Sequence, residues 1–299
     1  MTHSLQFRFG AQHARCIDTH QGPQLELPNG VISGSGLESW PLVGTGQCAQ
    51  ADDFLIWQSP EQLCGIAVTE VTDASIEAET ERLYRQLLSL CAGYNLHRIW
   101  HFVPEINKAC GADVDRYMLF CKGRAQVLCD PIEAGTQVPF TDQQLPPASA
   151  VGTSGKRLAI AFLAGDAPIQ PVENPLQVPA YQYPQRYGPR PPSFARAGRL
   201  HEQLIVSGTA SIRRSESLHA GDINAQLGLA LENIEIVAKA AQHPLPRPGI
   251  RARVYVKQAD QWHADLEAHP MLRDANLNVV QADICRNELL VEVEVSSHG

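Results

Sequence analysis

Hydrophobic and polar positions alternate most cleanly near the end of the chain. In CRNELLVEVEVSS, residues 285–297, an extended strand puts Leu289, Val291, Val293 and Val295 on one side and Leu290, Glu292 and Glu294 on the other. Pattern alone predicts a half-buried antiparallel strand with a solvated face. Helical periodicity dominates earlier. DASIEAETERLYRQLLSLCAGY opens on Asp73 or Ser75 as a cap, sets Ile76, Leu83, Leu87, Leu90 and Cys91 on one face, and stops at Gly93. LHRIWHFVP then predicts a strand ended by Pro104. ADVDRYMLFCKGR predicts a second helix capped by Asp113, with Gly123 near its end and the apolar AQVLC after it.

The second half repeats the order. HEQLIVSGTAS predicts a strand and turn, and GDINAQLGLALENIEIVAKAAQ a long helix capped by Asp222 that buries Ile223, Leu227, Ala230, Leu231, Ile234 and Ala238. GIRARVYVK is the next strand, a short helix follows from Asp260, and LNVVQADI leads to the closing strand. Each half reads helix, strand, helix, strand, with more strands than a simple α/β alternation needs. The class this favours is α+β, with mixed, antiparallel-rich sheets and long helices packed on one face. Two units are expected, residues 1–150 and 151–299.

Composition narrows the function classes. With 299 residues, 44% of them hydrophobic, the chain can bury a full core. A net charge of −8 and the absence of a basic block remove the electrostatic footprint of a nucleic-acid binder. There is no apolar run long enough for a membrane span, and MTHSLQFRFG lacks a signal-peptide pattern, so a cytoplasmic protein is expected. The 8 cysteines include no C-x-x-C pair, which favours buried thiols over zinc or redox chemistry. His97 and His101 have helical metal spacing, but the apolar residues around them favour a packed strand. AVGTSGKR fails as a phosphate loop, because Ala150 stands at its first glycine and Arg157 follows Lys156.

Candidate chemistry lies in arginines set beside tyrosines. A block from 168 to 199 holds eight prolines between Pro168 and Pro192, which forbid regular ladders. The same block carries Tyr181, Tyr183, Tyr187, Phe194, Arg186, Arg190, Arg196 and Arg199, more aromatic and guanidinium groups than a spacer needs. Tyr117 and Arg124 are two helical turns apart, and Tyr183 and Arg196 flank the turn-rich segment. A guanidinium fork grips a carboxylate and a phenol adds a directional donor, so two such pairs suit a small dianion. A glutamate facing that dianion has its pKa raised by negative neighbours and lost water, and lowered by the arginines. If the raising effects prevail it is a proton donor near neutral pH. Glu292 is the candidate and Glu294 its competitor. Cys285 shapes the pocket floor, acts as a weak acid beside Glu292 in the catalytic set, or is a buried structural thiol. Seven positions separate Cys285 from Glu292, which reverses strand parity, so a shared pocket requires a turn or bulge around 286–288.

RIWHFVPEIN, YMLFCKGR, AYQYPQRYGPRPPSFARA, LIVSGTASIRRSES and CRNELLVEVEV together resemble the chorismatase family, in order, from about residue 98 to 295. The nearest likeness is to the hydroxybenzoate-forming branch, which serves pigment and quinone pathways. The resemblance implies two halves similar to YjgF and chorismate-mutase-like folds, a monomer imitating their trimer, with the active site mostly in the second half. It implies that Tyr117, Arg124, Tyr183 and Arg196 bind chorismate, that Glu292 is the catalytic acid, and that Cys285 matches a cysteine of the hydroxybenzoate branch. It implies no metal and no organic cofactor. Arg213 and Arg214 stand where many relatives have glycine and histidine. Besides 3- or 4-hydroxybenzoate formation, the residues leave open hydrolysis to a dihydrodiol, a YjgF-like imine or enamine deaminase, and a catalytically silent small-acid binder.

Overall fold

Alternating apolar strands need a cover on each face, and the computed structural model provides one with three main sheets, two two-stranded hairpins and three long helices among the described residues. It describes residues 3–129, 145–246 and 248–297. A four-stranded sheet runs in the order Arg15–Thr19, Gly22–Leu27, Ser4–Phe9, Leu37–Pro41. A six-stranded sheet begins with β2 (Ala148–Thr153), which pairs in parallel with β1 (Asn95–Pro104), and continues through Arg157–Gly165, Gln62–Glu70, Phe54–Gln58 and Gln47–Ala51. The third sheet has seven strands. Its order is Gln170–Val172, Ala197–Leu200, β3 (Gln203–Ala210), β5 (Val291–Ser296), β4 (Arg251–Val256), Asn276–Gln281 and Val31–Ser33.

Helices α1 (Ile76–Leu90) and α2 (Arg116–Leu128) cover the outer face of the six-stranded sheet, and α3 (Ile223–Ala240) covers that of the seven-stranded one. The inner faces meet the small sheet in a shared core that includes Phe7, Trp40, Trp100, Phe102, Tyr255 and Val280. This is the expected mixed-sheet α+β architecture. The division expected at residues 150 and 151 falls inside β2, because apolar residues up to Gly165 complete the six-stranded sheet; the chain passes to the seven-stranded sheet between Gly165 and Gln170. No helix among the described residues is long and apolar enough to cross a membrane.

Two local expectations shift. Asp115, not Asp113, caps α2, accepting from the Met118 amide at 2.8 Å; Asp113 lies in the preceding turn at φ 58°. The helix continues through Gly123 into AQVL, so Gly123 is no stop signal. It serves close packing, since a β-carbon there would collide with the Glu77 carbonyl oxygen of α1. The closing strand differs more. Flanked by β3 and β4, β5 is central, and both of its faces are buried. Val291, Val293 and Val295 pack in the core under α3. The other face, predicted to be solvated, holds Glu292 and Glu294 at 4% and 6% exposure.

A buried ionic cluster explains how Glu294 is accommodated. Arg98 of β1 lies 3.2 Å from its carboxylate and Arg253 of β4 lies 3.5 Å away. Tyr255 Oη donates to Glu294 Oε1 at 2.9 Å, and Trp100 Nε1 donates to Oε2 at 3.1 Å. Arg253 also pairs with Glu38 of the four-stranded sheet at 2.8 Å, so the cluster joins all three sheets. Removing one member of such a cluster leaves uncompensated buried charge, which costs about 3–5 kcal/mol. Arg253→Met should therefore lower unfolding stability by about that amount in urea titrations, a larger loss than Arg82→Met at the exposed Asp53 pair.

Candidate active site

Parity on β5 sends Glu292 and Glu294 to the same face, so their separate environments must come from what packs on them. Opposite Glu294, β3 carries two residues instead of one: Val206 pairs with Val295 and Thr209 with Val293, leaving Ser207 and Gly208 as a bulge. Hydrogen bonds pin the bulge. Ser207 Oγ accepts from the Ala148 amide at 3.0 Å and donates to the Ala195 carbonyl at 2.6 Å, while the Gly208 amide donates to Ser149 Oγ at 2.9 Å. Arg98 Nη2 also donates to Ser149 Oγ. Glu292 Oε1 sits against Gly208, where any β-carbon would overlap it. Only glycine leaves that space.

Beyond Glu292 opens a cavity of about 290 Å³, walled by α2, the proline-rich block, β2, β3 and the turn before β5. Tyr117, Arg124, Tyr183, Arg196, Cys285 and Glu292 all line it. Cys285 reaches the same space because the chain turns between Arg286 and Leu289, whose amide bonds the Arg286 carbonyl at 3.1 Å, before β5 begins at Val291. The turn restores the parity that an unbroken strand would deny. His97 and His101 are not brought to the cavity. His101 Nε2 shares a hydrogen bond with Tyr84 Oη at 2.6 Å and Nδ1 with the Ser149 carbonyl at 2.6 Å, and His97 Nε2 meets the Ala167 carbonyl at 2.8 Å.

The guanidiniums of Arg124 and Arg196 are buried and retain spare donors. Arg196 Nη2 donates to Tyr183 Oη at 2.6 Å and to the Val178 carbonyl at 3.1 Å, and its guanidinium carbon stands 5.3 Å from the Phe194 ring centre. Arg124 Nη2 donates to the Ser193 carbonyl and its guanidinium lies 5.5 Å over the Tyr84 ring. Neither Nε has a hydrogen-bond partner among the described residues. Such cations are strong, directional anion receptors because little water competes for them.

Electrostatics divides the two carboxyls of β5. Burial, then the negative charge of Glu294, raise the Glu292 pKa to about 8, against the pull of Arg98 and Arg196. Burial also disfavours the Glu294 anion, but Arg98 and Arg253 outweigh it and hold that carboxyl below its usual range. Glu292 is thus protonated at neutral pH beside an ionised neighbour. Burial pushes the Cys285 thiol and the Tyr117 phenol well up, so both stay neutral. Cys285 is then a small polarisable wall residue rather than a thiolate.

Several residues around the site escape sequence reading. Arg98 sits in an apolar strand, where a charge signals a buried partner, but nothing local names Glu294 as that partner. Gly208 interrupts the strand pattern in VSGTA, the usual mark of a bulge. Ser149 carries no signal at all.

The raised pKa has a consequence for stability. Between the unfolded value near 4.5 and the folded value of about 8 the unfolded chain binds fewer protons at this position, so folding stability falls as pH rises through that window. Glutamine mimics the neutral carboxyl. Glu292→Gln should match wild type near pH 4.5 and become progressively more stable than it up to about pH 8 in urea titrations.

Known proteins share this arrangement of chain. Residues 38–164 match the family model described as Chorismatase FkbO/Hyg5-like, N-terminal. A 3-hydroxybenzoate synthase of Streptomyces hygroscopicus is 38% identical over 68% of this chain, which spans 63% of that protein's length. A chorismatase of Streptomyces rapamycinicus is 34% identical over 86% of this chain and 80% of its own. The crystal structure of a chorismatase superposes with a TM-score of 0.84 at 26% identity, covering 99% of this chain and 93% of the other. The likeness runs through both large sheets and is close enough in sequence to decide the family. The chain belongs to the chorismatase family of enzymes.

Proposed function

We propose that this chain converts chorismate to 3-hydroxybenzoate, 4-hydroxybenzoate or both, with release of pyruvate, and that Glu292 is the acid. One observation carries the reading: a neutral buried carboxyl shares a small cavity with two guanidiniums that have donors to spare. Chorismate has two carboxylates and an acid-labile enolpyruvyl ether, and the two Tyr–Arg pairs suit that dianion better than a monoanionic imine.

Glu292 gives its proton to the methylene carbon of the enolpyruvyl group, and the ether carbon becomes an oxocarbenium ion stabilised by the carboxylate left behind. The ring carbon–oxygen bond then breaks and the ether oxygen leaves in pyruvate. In the 3-hydroxybenzoate route the neighbouring ring hydroxyl oxygen bonds to that ring carbon, its proton returns to Glu292, and the strained epoxide opens to the aromatic product. Loss of the hydrogen on the hydroxyl-bearing ring carbon, as a proton taken back by Glu292, instead gives the 4-isomer. Water attacking the oxocarbenium carbon breaks the other carbon–oxygen bond and gives pyruvate and a dihydrodiol. Aromatic walls and buried cations disfavour that attack. Holding both carboxylates supplies several kcal/mol through orientation.

Chromatography of a chorismate digest should show pyruvate with hydroxybenzoate in equal amounts; no pyruvate would refute the reading. Glu292→Gln should lower kcat about 10²-fold or more. In wild type, kcat/KM should fall with loss of one proton above about pH 8, the pH at which Glu292 ionises. Cys285→Ala should change the product ratio more than total pyruvate, as expected of a wall residue that stays neutral.

A further inference from the structure

A third guanidinium borders the cavity, and the proposed chemistry does not use it. Arg286 lies in the turn before β5, and its guanidinium carbon stands 3.7 Å from the Tyr187 ring centre and 5.2 Å from that of Tyr183. Its Nη1 donates to the Ser215 carbonyl at 2.8 Å and to Ser217 Oγ at 3.0 Å. These partners sit on a hairpin of Ile212–Arg213 and Glu216–Ser217. One side chain therefore fastens three separate cavity walls: the pre-β5 turn, the proline-rich block and the hairpin.

A second tie lies outside it. Arg186 pairs with Glu216, whose other carboxylate oxygen accepts from Tyr187 Oη at 3.2 Å. Arg186 and Glu216 are more than half exposed, and the neighbouring wall residues Asn287 and Glu288 are exposed as well, so this cluster marks the solvent side of the cavity. Ile212, Tyr183, Tyr187 and Arg286 all line the interior beneath it.

We propose that Arg286 is a specificity-determining residue: stacked on Tyr187 and bonded to the hairpin, it holds the solvent side of the cavity shut and keeps water from the oxocarbenium carbon. The proposal rests on the chorismate reading and deepens it. With the walls fastened, the nucleophile within reach is the substrate's own ring hydroxyl, and the product is hydroxybenzoate. With them parted, water adds to the cationic carbon, the ring oxygen takes a proton as its bond to that carbon breaks, and pyruvate leaves with a dihydrodiol. A guanidinium suits this task because its planar face stacks on a phenol while its edge keeps hydrogen-bonding.

Intact protein and its Arg286→Ala, Tyr187→Leu and Tyr187→Phe variants are to be incubated with chorismate, and dihydrodiol and hydroxybenzoate quantified in each. The expected result is a dihydrodiol share raised about threefold or more by Arg286→Ala and by Tyr187→Leu, and left near wild type by Tyr187→Phe, which keeps the ring face. The ratio is the readout, because a purely structural defect lowers both products together. An unchanged ratio in both Arg286→Ala and Tyr187→Leu, whether or not KM rises, would overturn the proposal, as would a wild type that already gives only dihydrodiol. Wild type releasing no pyruvate would instead overturn the underlying chorismate reading, before any variant is compared.

Discussion

Two carboxylates project from one face of a central strand, and the two guanidiniums of the ionic cluster come close to one of them. Arg98 and Arg253 neutralise Glu294 at 3.2 and 3.5 Å, whereas Glu292, one pleat away, has no ion pair within that reach among the described residues. Two adjacent buried anions would be intolerable, so fixing the charge on Glu294 pushes the proton onto Glu292. Much of the site follows from this asymmetry. A neutral carboxyl can donate a proton, and burial first, then the negative charge next to it, keeps this one neutral at neutral pH.

The asymmetry depends on the joining of all three sheets. Arg98 comes from the six-stranded sheet, Arg253 and Glu294 from the seven-stranded one, and Glu38 from the four-stranded one. The bulge at Ser207 and Gly208 then gives Glu292 room to lie against the backbone of β3. Burying ion pairs is a poor way to gain net stability, because desolvation consumes most of the attraction. Here the cluster sets a protonation state at a cavity, which gives a functional account of why charges stand where apolar residues would pack as well.

Helices α1 and α3 and strands β1 and β4 were legible in the sequence from their apolar patterns and clear ends, whereas the strands between Ser4 and Glu70 and those at Ala148–Thr153 and Arg157–Gly165 were not read. The closing strand was legible as a strand but not as a central one, since alternation of valine with glutamate is the ordinary mark of a solvated face. Counter-charges that allow Glu294 to be buried lie roughly two hundred residues upstream in Arg98 and about forty in Arg253, and no local pattern reports such pairing. The α2 cap slipped by two residues because Asp113 and Asp115 both fit the capping pattern. The cavity residues were found through pairs of tyrosine with arginine and through family resemblance. Ser149 and Arg286 were not, because their roles arise from a backbone approach and a stacking contact that exist only in three dimensions; Gly208 carried the mark of a bulge in VSGTA, but not its contact with Glu292.

The chemistry of the site depends on which of the two carboxyls carries the proton. Infrared difference spectroscopy of wild type against Glu292→Gln and Glu294→Gln, recorded across pH 6 to 10 in deuterated buffer, reads this directly. Protonated Glu292 should give a carboxylic-acid band in wild type near pH 7 that is absent in Glu292→Gln and disappears from wild type as pH passes about 8. A band missing from wild type at neutral pH, or one that persists unchanged in Glu292→Gln, would contradict this assignment.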